Sequence, residues 1–448
     1  GSVCEDYGAI NCPVFAVGGW ADPYRDTVFR LLEHLSVPTR ALIGPWSHNY
    51  PESGAPGPAI GFLQECVEWW DSCLKGIDPQ GPEEPPLRVW MQHSVEPRTE
   101  YDERPGHWVH EPEWPTANVS PLVYSLNEGR LMTGQAPPSH ADVRGFQDNG
   151  STAGVWCPGG GAGELPGPQN VDDGLSLTFA SEPADQPVQI LGFPSVTLDL
   201  ASDRPNALVA VRLCDVAPDG ASTLVSWGLL NLTHRDGHEA PRPLTPGARL
   251  TVTVPMISAA HELAVGHRWR LAISPTYWPH AWPSPEPVTL RVFTGDASRL
   301  ELPLREPRSE DGQLKAYGEP EAAPALQAVT LRTPSRRRTV SHEVVSQAYQ
   351  LIDSSDYGRR LIEDTGMEFD EVVTNTYTIV EGAPLSARVQ CDRRVELART
   401  DWRVRIETCS VMTADSSSFR VTNTVDAYER DCRVFTRSSS FSVPRHLV

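Results

Sequence analysis

An aspartate and a histidine, each just past the end of a short apolar run, are the residues of this chain best suited to chemistry. Asp22 follows Phe15-Ala16-Val17-Gly18-Gly19-Trp20-Ala21, and His48 follows Ala41-Leu42-Ile43-Gly44-Pro45-Trp46-Ser47. An imidazole takes a proton from an attacking hydroxyl when a carboxylate holds its other ring nitrogen, which fixes the tautomer and stabilises the imidazolium. His48 is the candidate base and Asp22 the candidate orienter. The bland reading stands beside this one. Asp22 is a favoured residue for capping the helix that follows, and His48 is one of 13 histidines.

The elements that must position the pair are legible around it. Residues 13–19 and 39–46 read as strands buried on both faces of a parallel sheet. Between them Val28, Leu31, Leu32 and Leu35 recur at helical spacing, and Pro38 stops that helix. Leu63, Cys66, Val67, Trp70 and Leu74 mark a second helix over 59–75, which Gly76 ends. Leu87–Met91 is a third strand. This alternation predicts an α/β layer in which a helix and a strand return both side chains to one end of the sheet.

After Pro115 the period changes. Short β-rich runs at 122–126, 188–200, 207–216, 222–233, 249–257, 268–274 and 288–293 are separated by turn clusters, which predicts a sandwich or jelly roll. Residues 158–170 read as an extended Gly/Pro loop. Residues 306–337 read as a polar linker, with Arg336-Arg337-Arg338 a solvated run. Residues 338–448 read as a small antiparallel β module, open or curled toward a barrel. The expected class is α/β plus all-β, with domains at 1–115, 116–305 and 338–448.

Composition narrows the function. The chain has 448 residues and a formal net charge of −20, and no basic face for a phosphate backbone. No apolar run reaches the length of a membrane span. Nine cysteines without zinc spacing read as reduced core thiols, and Cys66 and Cys73, a heptad apart, suggest a shared buried face. No signal-peptide pattern opens the sequence, and a cytoplasmic location is expected. His234 and His238 read as a structural loop rather than a metal pair. Trp278 and Trp282 read as packing against the α/β layer rather than a carbohydrate platform. No metal or cofactor is expected.

Gly18-Gly19-Trp20-Ala21-Asp22 and Gly44-Pro45-Trp46-Ser47-His48 resemble the acid and base motifs of the cocaine-esterase and X-prolyl dipeptidyl-peptidase (CocE/NonD) family of serine α/β-hydrolases. The resemblance continues through Trp156-Cys157, Asp172-Asp173-Gly174-Leu175, Leu191-Gly192-Phe193-Pro194, Asn231-Leu232-Thr233-His234-Arg235, Gly266-His267-Arg268 and Tyr277-Trp278-Pro279, which are similar to that family's jelly-roll domain. It implies a partial α/β-hydrolase sheet, then a galactose-binding-like jelly roll. It also implies cleavage of esters, amides or bonds after proline, with Asp22 and His48 as acid and base. In that fold the order is nucleophile, acid, histidine. No G-x-S-x-G elbow precedes Asp22, so a nucleophile-bearing N-terminal half is the expected missing partner, and the chain alone is expected to be inactive. The expected substrate is a small acyl ester or peptide, and a homo-oligomer stays open. The rival reading is a non-catalytic β-sandwich binding protein with a remnant hydrolase segment.

Overall fold

The computed structural model describes residues 2–77 and 85–448. Among them, the strands fall into two sheets, one of 16 strands and one of eight. The first sheet opens with β1 (Val14–Gly19), β2 (Thr39–Gly44) and β3 (Leu87–His93), mutually parallel in that order. Helix α1 (Arg25–His34) crosses from β1 to β2 and buries Val28 and Phe29. Each such side chain contributes about 2 kcal/mol of apolar burial. Helix α2 (Phe62–Lys75) lies between β2 and β3 and ends at Gly76, whose φ of 63° is the left-handed conformation that favours glycine at a helix C-terminus.

The periodicity of α2 is present, but its apolar stripe faces outward. Leu63, Val67, Trp70 and Leu74 are exposed, whereas Glu65 is buried against Arg40 of β2. Trp69 reaches Phe15, with ring centroids 5.7 Å apart.

Strand β4 (Gly106–Glu111) adds antiparallel to β3. The ladder then passes into the middle of the chain. The strand Ala259–Leu263 pairs with the end of β3, His261 beside Gln92 and Glu262 beside His93. It pairs on its other side with Val188–Gly192, which in turn meets the long strand Thr289–Arg305. The main apolar core lies in this middle region, around Leu198, Val209, Leu213, Leu271, Leu290 and Leu300. The run read as 188–200 is two strands broken at Phe193-Pro194, where Gly192 turns with φ 118°. No helix among the described residues is long and apolar enough to cross a membrane.

The stretch 306–337 is not a solvated linker. Residues 306–327 run back over the N-terminal layer. Gly61 N–H donates to Gly318 O at 2.7 Å, Arg88 donates to Lys315 O at 2.7 Å, and the Arg88 guanidinium stacks 3.9 Å from the Tyr317 ring centroid. The second sheet begins at Ala328. The arginine run lies on its strand Ser335–Glu343. Arg336 pairs with Glu164 at 2.6 Å and Asp353 at 3.0 Å, and Arg338 donates to Gly154 O at 2.6 Å. Alternation along a strand turns these two toward neighbouring carboxylates and carbonyls and leaves Arg337 exposed.

This antiparallel sheet is not small. Its strands reach 17 residues at Ala383–Arg399, and it ends on the edge strand Cys432–Pro444. Trp278 and Trp282 pack against it, around Ile379, Tyr377 and Ala387, rather than against the N-terminal layer. All nine cysteines are free, but only Cys214 is buried; Cys4, Cys12, Cys157 and Cys432 are exposed. They are therefore not a set of core thiols, and Cys66 and Cys73 share only a half-buried position.

Candidate active site

The turns after β1 and β2 are stitched together before either functional side chain is reached. Trp20 N–H donates to Gly44 O at 2.9 Å and Ala21 N–H to Trp46 O at 3.1 Å. The Trp46 ring is fully buried, and its Nε1 donates to Pro58 O at 2.9 Å. Ser47 N–H then donates to Ala55 O at 2.9 Å and His48 N–H to Pro158 O at 2.8 Å. The loop carrying His48 is thus pinned at successive residues, partly by the Gly/Pro segment around 158.

Glycines make room for that tryptophan. A Cβ at Gly54 would stand 2.0 Å from Trp46 Cδ1, and one at Gly44 2.5 Å from the same ring. Gly54→Ala is therefore expected to cost about 1–3 kcal/mol through overpacking. Urea unfolding followed by tryptophan fluorescence would measure it.

The two sequence-derived residues meet. His48 Nδ1 lies 2.8 Å from Asp22 Oδ2, while Asp22 Oδ1 accepts the Tyr24 backbone N–H at 2.7 Å. The carboxylate thus holds the turn before α1 and the ring at once, but it does not cap the helix, whose N-cap is Tyr24 with no side chain bonded to its first turn. The Asp22 side chain is 13% exposed and the imidazole 56%. Among the described residues no group hydrogen-bonds His48 Nε2. Cys157, beside the His48 anchor, is a poor nucleophile, because burial, then the charges of Asp22 and Glu164, push its thiol pKa up.

Asp22, but not His48, also lines a cavity of about 150 Å³, together with Trp20, Arg25, Arg104, His261 and His280 among others. Burial lowers the Arg25 guanidinium to about 10, against the opposing pull of Asp26 and Asp22. Arg104 donates Nε to Gln92 Oε1 at 3.1 Å. His261 Nε2 lies 2.9 Å from Asp215 Oδ2, and His267 Nδ1 lies 2.7 Å from Oδ1 of the same carboxylate. These residues come from segments far apart in sequence, and nothing in their spacing marks them as neighbours. Asp26 Oδ1 ties α1 to the middle region by accepting from Ser258 N–H at 2.9 Å and Ser258 Oγ at 2.7 Å.

His280 sits among Trp156, Trp227 and Tyr277, and burial, then Arg338, pushes its pKa down to about 4. The unfolded chain binds this proton near pH 6.5, whereas the native state refuses it until about pH 4. The stability is therefore full above pH 6.5 and declines as pH falls toward 4, by on the order of 1–3 kcal/mol. His280→Asn is expected to flatten that part of the stability–pH curve in urea titrations.

His234 ends the short 3-10 turn Leu232–His234 and is half-buried, His238 is exposed beyond it, and their Nδ1 atoms lie 3.1 Å apart.

Comparison with known proteins adds six findings. Residues 82–311 match the family profile described as X-Pro dipeptidyl-peptidase C-terminal non-catalytic domain. Residues 1–50 match the profile described as X-Pro dipeptidyl-peptidase (S15 family). The chain is 26% identical over 338 residues to a Mycobacterium bovis protein named “Putative serine esterase”, covering 68% of this chain and 52% of that one. It is 21% identical over 311 residues to the cocaine esterase of Rhodococcus sp., covering 62% of this chain and 51% of that one. The chain thus spans about half the length of the curated relatives it matches. In fold it is similar to a CocE/NonD family hydrolase from Staphylococcus aureus, with TM-score 0.53, 12% identity, and 67% and 55% of the two chains covered. It is likewise similar to an aminopeptidase from a marine-sediment thaumarchaeote, with TM-score 0.53, 19% identity, and 66% and 56% covered.

Proposed function

This chain belongs to the X-Pro dipeptidyl-peptidase and cocaine-esterase family of hydrolases, and from that premise we propose that it carries the acid and base of a serine hydrolase that cleaves acyl esters, amides or bonds after proline. The N-terminal layer serves as part of an α/β-hydrolase sheet and the middle region as its jelly roll. The observation that carries this reading is the 2.8 Å contact between His48 Nδ1 and Asp22 Oδ2.

In the proposed mechanism a serine hydroxyl is brought to His48 Nε2. The ring takes its proton as the oxygen attacks the acyl carbon, and Asp22 stabilises the imidazolium. The ring then returns the proton to the leaving group. In this reading the hydroxyl and the oxyanion donors are supplied by a nucleophile-bearing half. Two surfaces favour such a partner. Strand β1 pairs with β2 alone among the described residues, and the stripe of α2 is uncovered. An open edge and an apolar helix face are surfaces that protein normally covers.

The chain alone is expected to give no burst with p-nitrophenyl acetate and no labelling by a fluorophosphonate. A burst that disappears in His48→Ala would show that the nucleophile is already present and overturn the division of labour. The rival reading, a non-catalytic binding module, draws on the match of 82–311 to a non-catalytic domain. It gains if an assembly supplied with the nucleophile half hydrolyses esters equally well with His48 and with alanine there.

A further inference from the structure

On the sheet face away from the cavity a row of polar side chains crosses the junction between β3 and the middle region. Register sets the row: Arg305 pairs with Gln189, Gln189 with Glu262, and Glu262 with His93. His107 of β4 sits opposite Met91, two residues along from His93 and on the same face. His93 Nε2 lies 2.8 Å from His107 Nδ1 and 3.8 Å from Glu262 Oε1. One nitrogen from each histidine and one Glu262 oxygen all fall within 4.8 Å of one another.

We propose that His93, His107 and Glu262 bind one divalent transition-metal ion of the zinc class. Two imidazoles and a carboxylate are a ligand set that such ions favour, with a fourth position left for water. The cluster is half-buried, and the His93 side chain is 39% exposed, which leaves an entry path. Burial lowers the His107 pKa and so favours the neutral ring a metal needs. The carboxylate is already oriented. Gln189 Nε2 donates to Glu262 Oε2 at 2.8 Å, and Gln189 Oε1 accepts from the buried Arg305 at 2.9 Å. Outer-shell partners of this kind set ligand direction. Two nitrogens on one tetrahedral ion stand about 3.3 Å apart, so the rings must part by roughly half an ångström while Glu262 closes by a similar amount on His93 and by up to about 1.5 Å on His107. Spacing in the sequence cannot show this set, because its three members lie on three strands.

The test is titration of the chelator-stripped chain with Co²⁺ and Zn²⁺ by calorimetry and visible absorption. The expected result is one ion per chain, with d–d bands of nitrogen and oxygen ligation and no thiolate charge-transfer band. His107→Gln and Glu262→Gln are each expected to weaken binding at least 100-fold, and Gln189→Ala about 10- to 100-fold. Glu262→Gln keeps the shape of the side chain, so it reports on binding should a histidine variant misfold. The proposal is overturned by absence of binding at about 100 µM metal, by binding that survives both His107→Gln and Glu262→Gln, by a thiolate band, or by loss of binding in His238→Gln.

Discussion

Asparagine at position 22 is expected to lower kcat by about 10⁴-fold in an assembly that brings a serine hydroxyl to His48. The substitution keeps shape and one of two contacts. The amide oxygen can still take the Tyr24 N–H that Asp22 Oδ1 accepts at 2.7 Å, so the turn into α1 survives. The amide nitrogen then faces His48 Nδ1, where Oδ2 stood at 2.8 Å. A donor there forces the ring to carry its proton on Nε2, the atom that must receive one from the nucleophile. KM is expected to hold while kcat falls, because the loss is confined to the transition state. His48→Ala should cost at least as much, and the double variant little more than His48→Ala alone, since the pair acts as a unit. Steady-state kinetics on an activated ester would check all three. A fall under tenfold for Asp22→Asn would mean that the carboxylate only shapes the turn.

Arg305→Met is expected to be the most destabilising single change in the junction, at about 3–5 kcal/mol. Arg305 and Glu111 are both fully buried, and Nε donates to Glu111 Oε1 at 2.7 Å. The same guanidinium reaches Gln189 Oε1 at 2.9 Å and both oxygens of Asp311 at 2.9 and 2.8 Å. Methionine matches its length but leaves a dry carboxylate with its strongest partner gone. Glu111 would retain Thr116 at 2.8 Å, Asn118 at 3.0 Å and the partly exposed Arg308 at 3.6 Å, a contact too long and too solvated to replace the one lost. Adding Glu111→Leu should recover part of the loss, because the uncompensated charge is removed. Urea midpoints of the single and double variants would measure both effects. A double variant less stable than Arg305→Met would point to packing, not charge, as the cause.

The meeting of Asp22 and His48 was legible in the sequence because each follows a continuous apolar strand, and two successive parallel strands end at the same side of a sheet. Local signals of this kind also located α1, α2 and many of the middle strands. They did not reveal which face of α2 is covered, since a helix wheel reports a stripe and not its partner. Arg336 and Arg338 looked solvated because Glu164, Asp353 and Gly154 lie far away in sequence. Trp278 and Trp282 were read as packing residues, but the sheet they pack on is built from residues after 328 and is invisible to local pattern. Arg25, Arg104, His261 and His280 converge on the cavity only through tertiary register, which no single segment encodes.

The unbroken ladder from β2 through β3 into the strand Ala259–Leu263 makes the N-terminal layer and the middle region one stiff plate. Closing or opening by rotation of one against the other would tear backbone hydrogen bonds and prise Arg305 from its carboxylates. Any gating of the cavity therefore belongs to local excursions of side chains at its rim such as the exposed Trp156, with the scaffold and the pinned turn bearing His48 holding still.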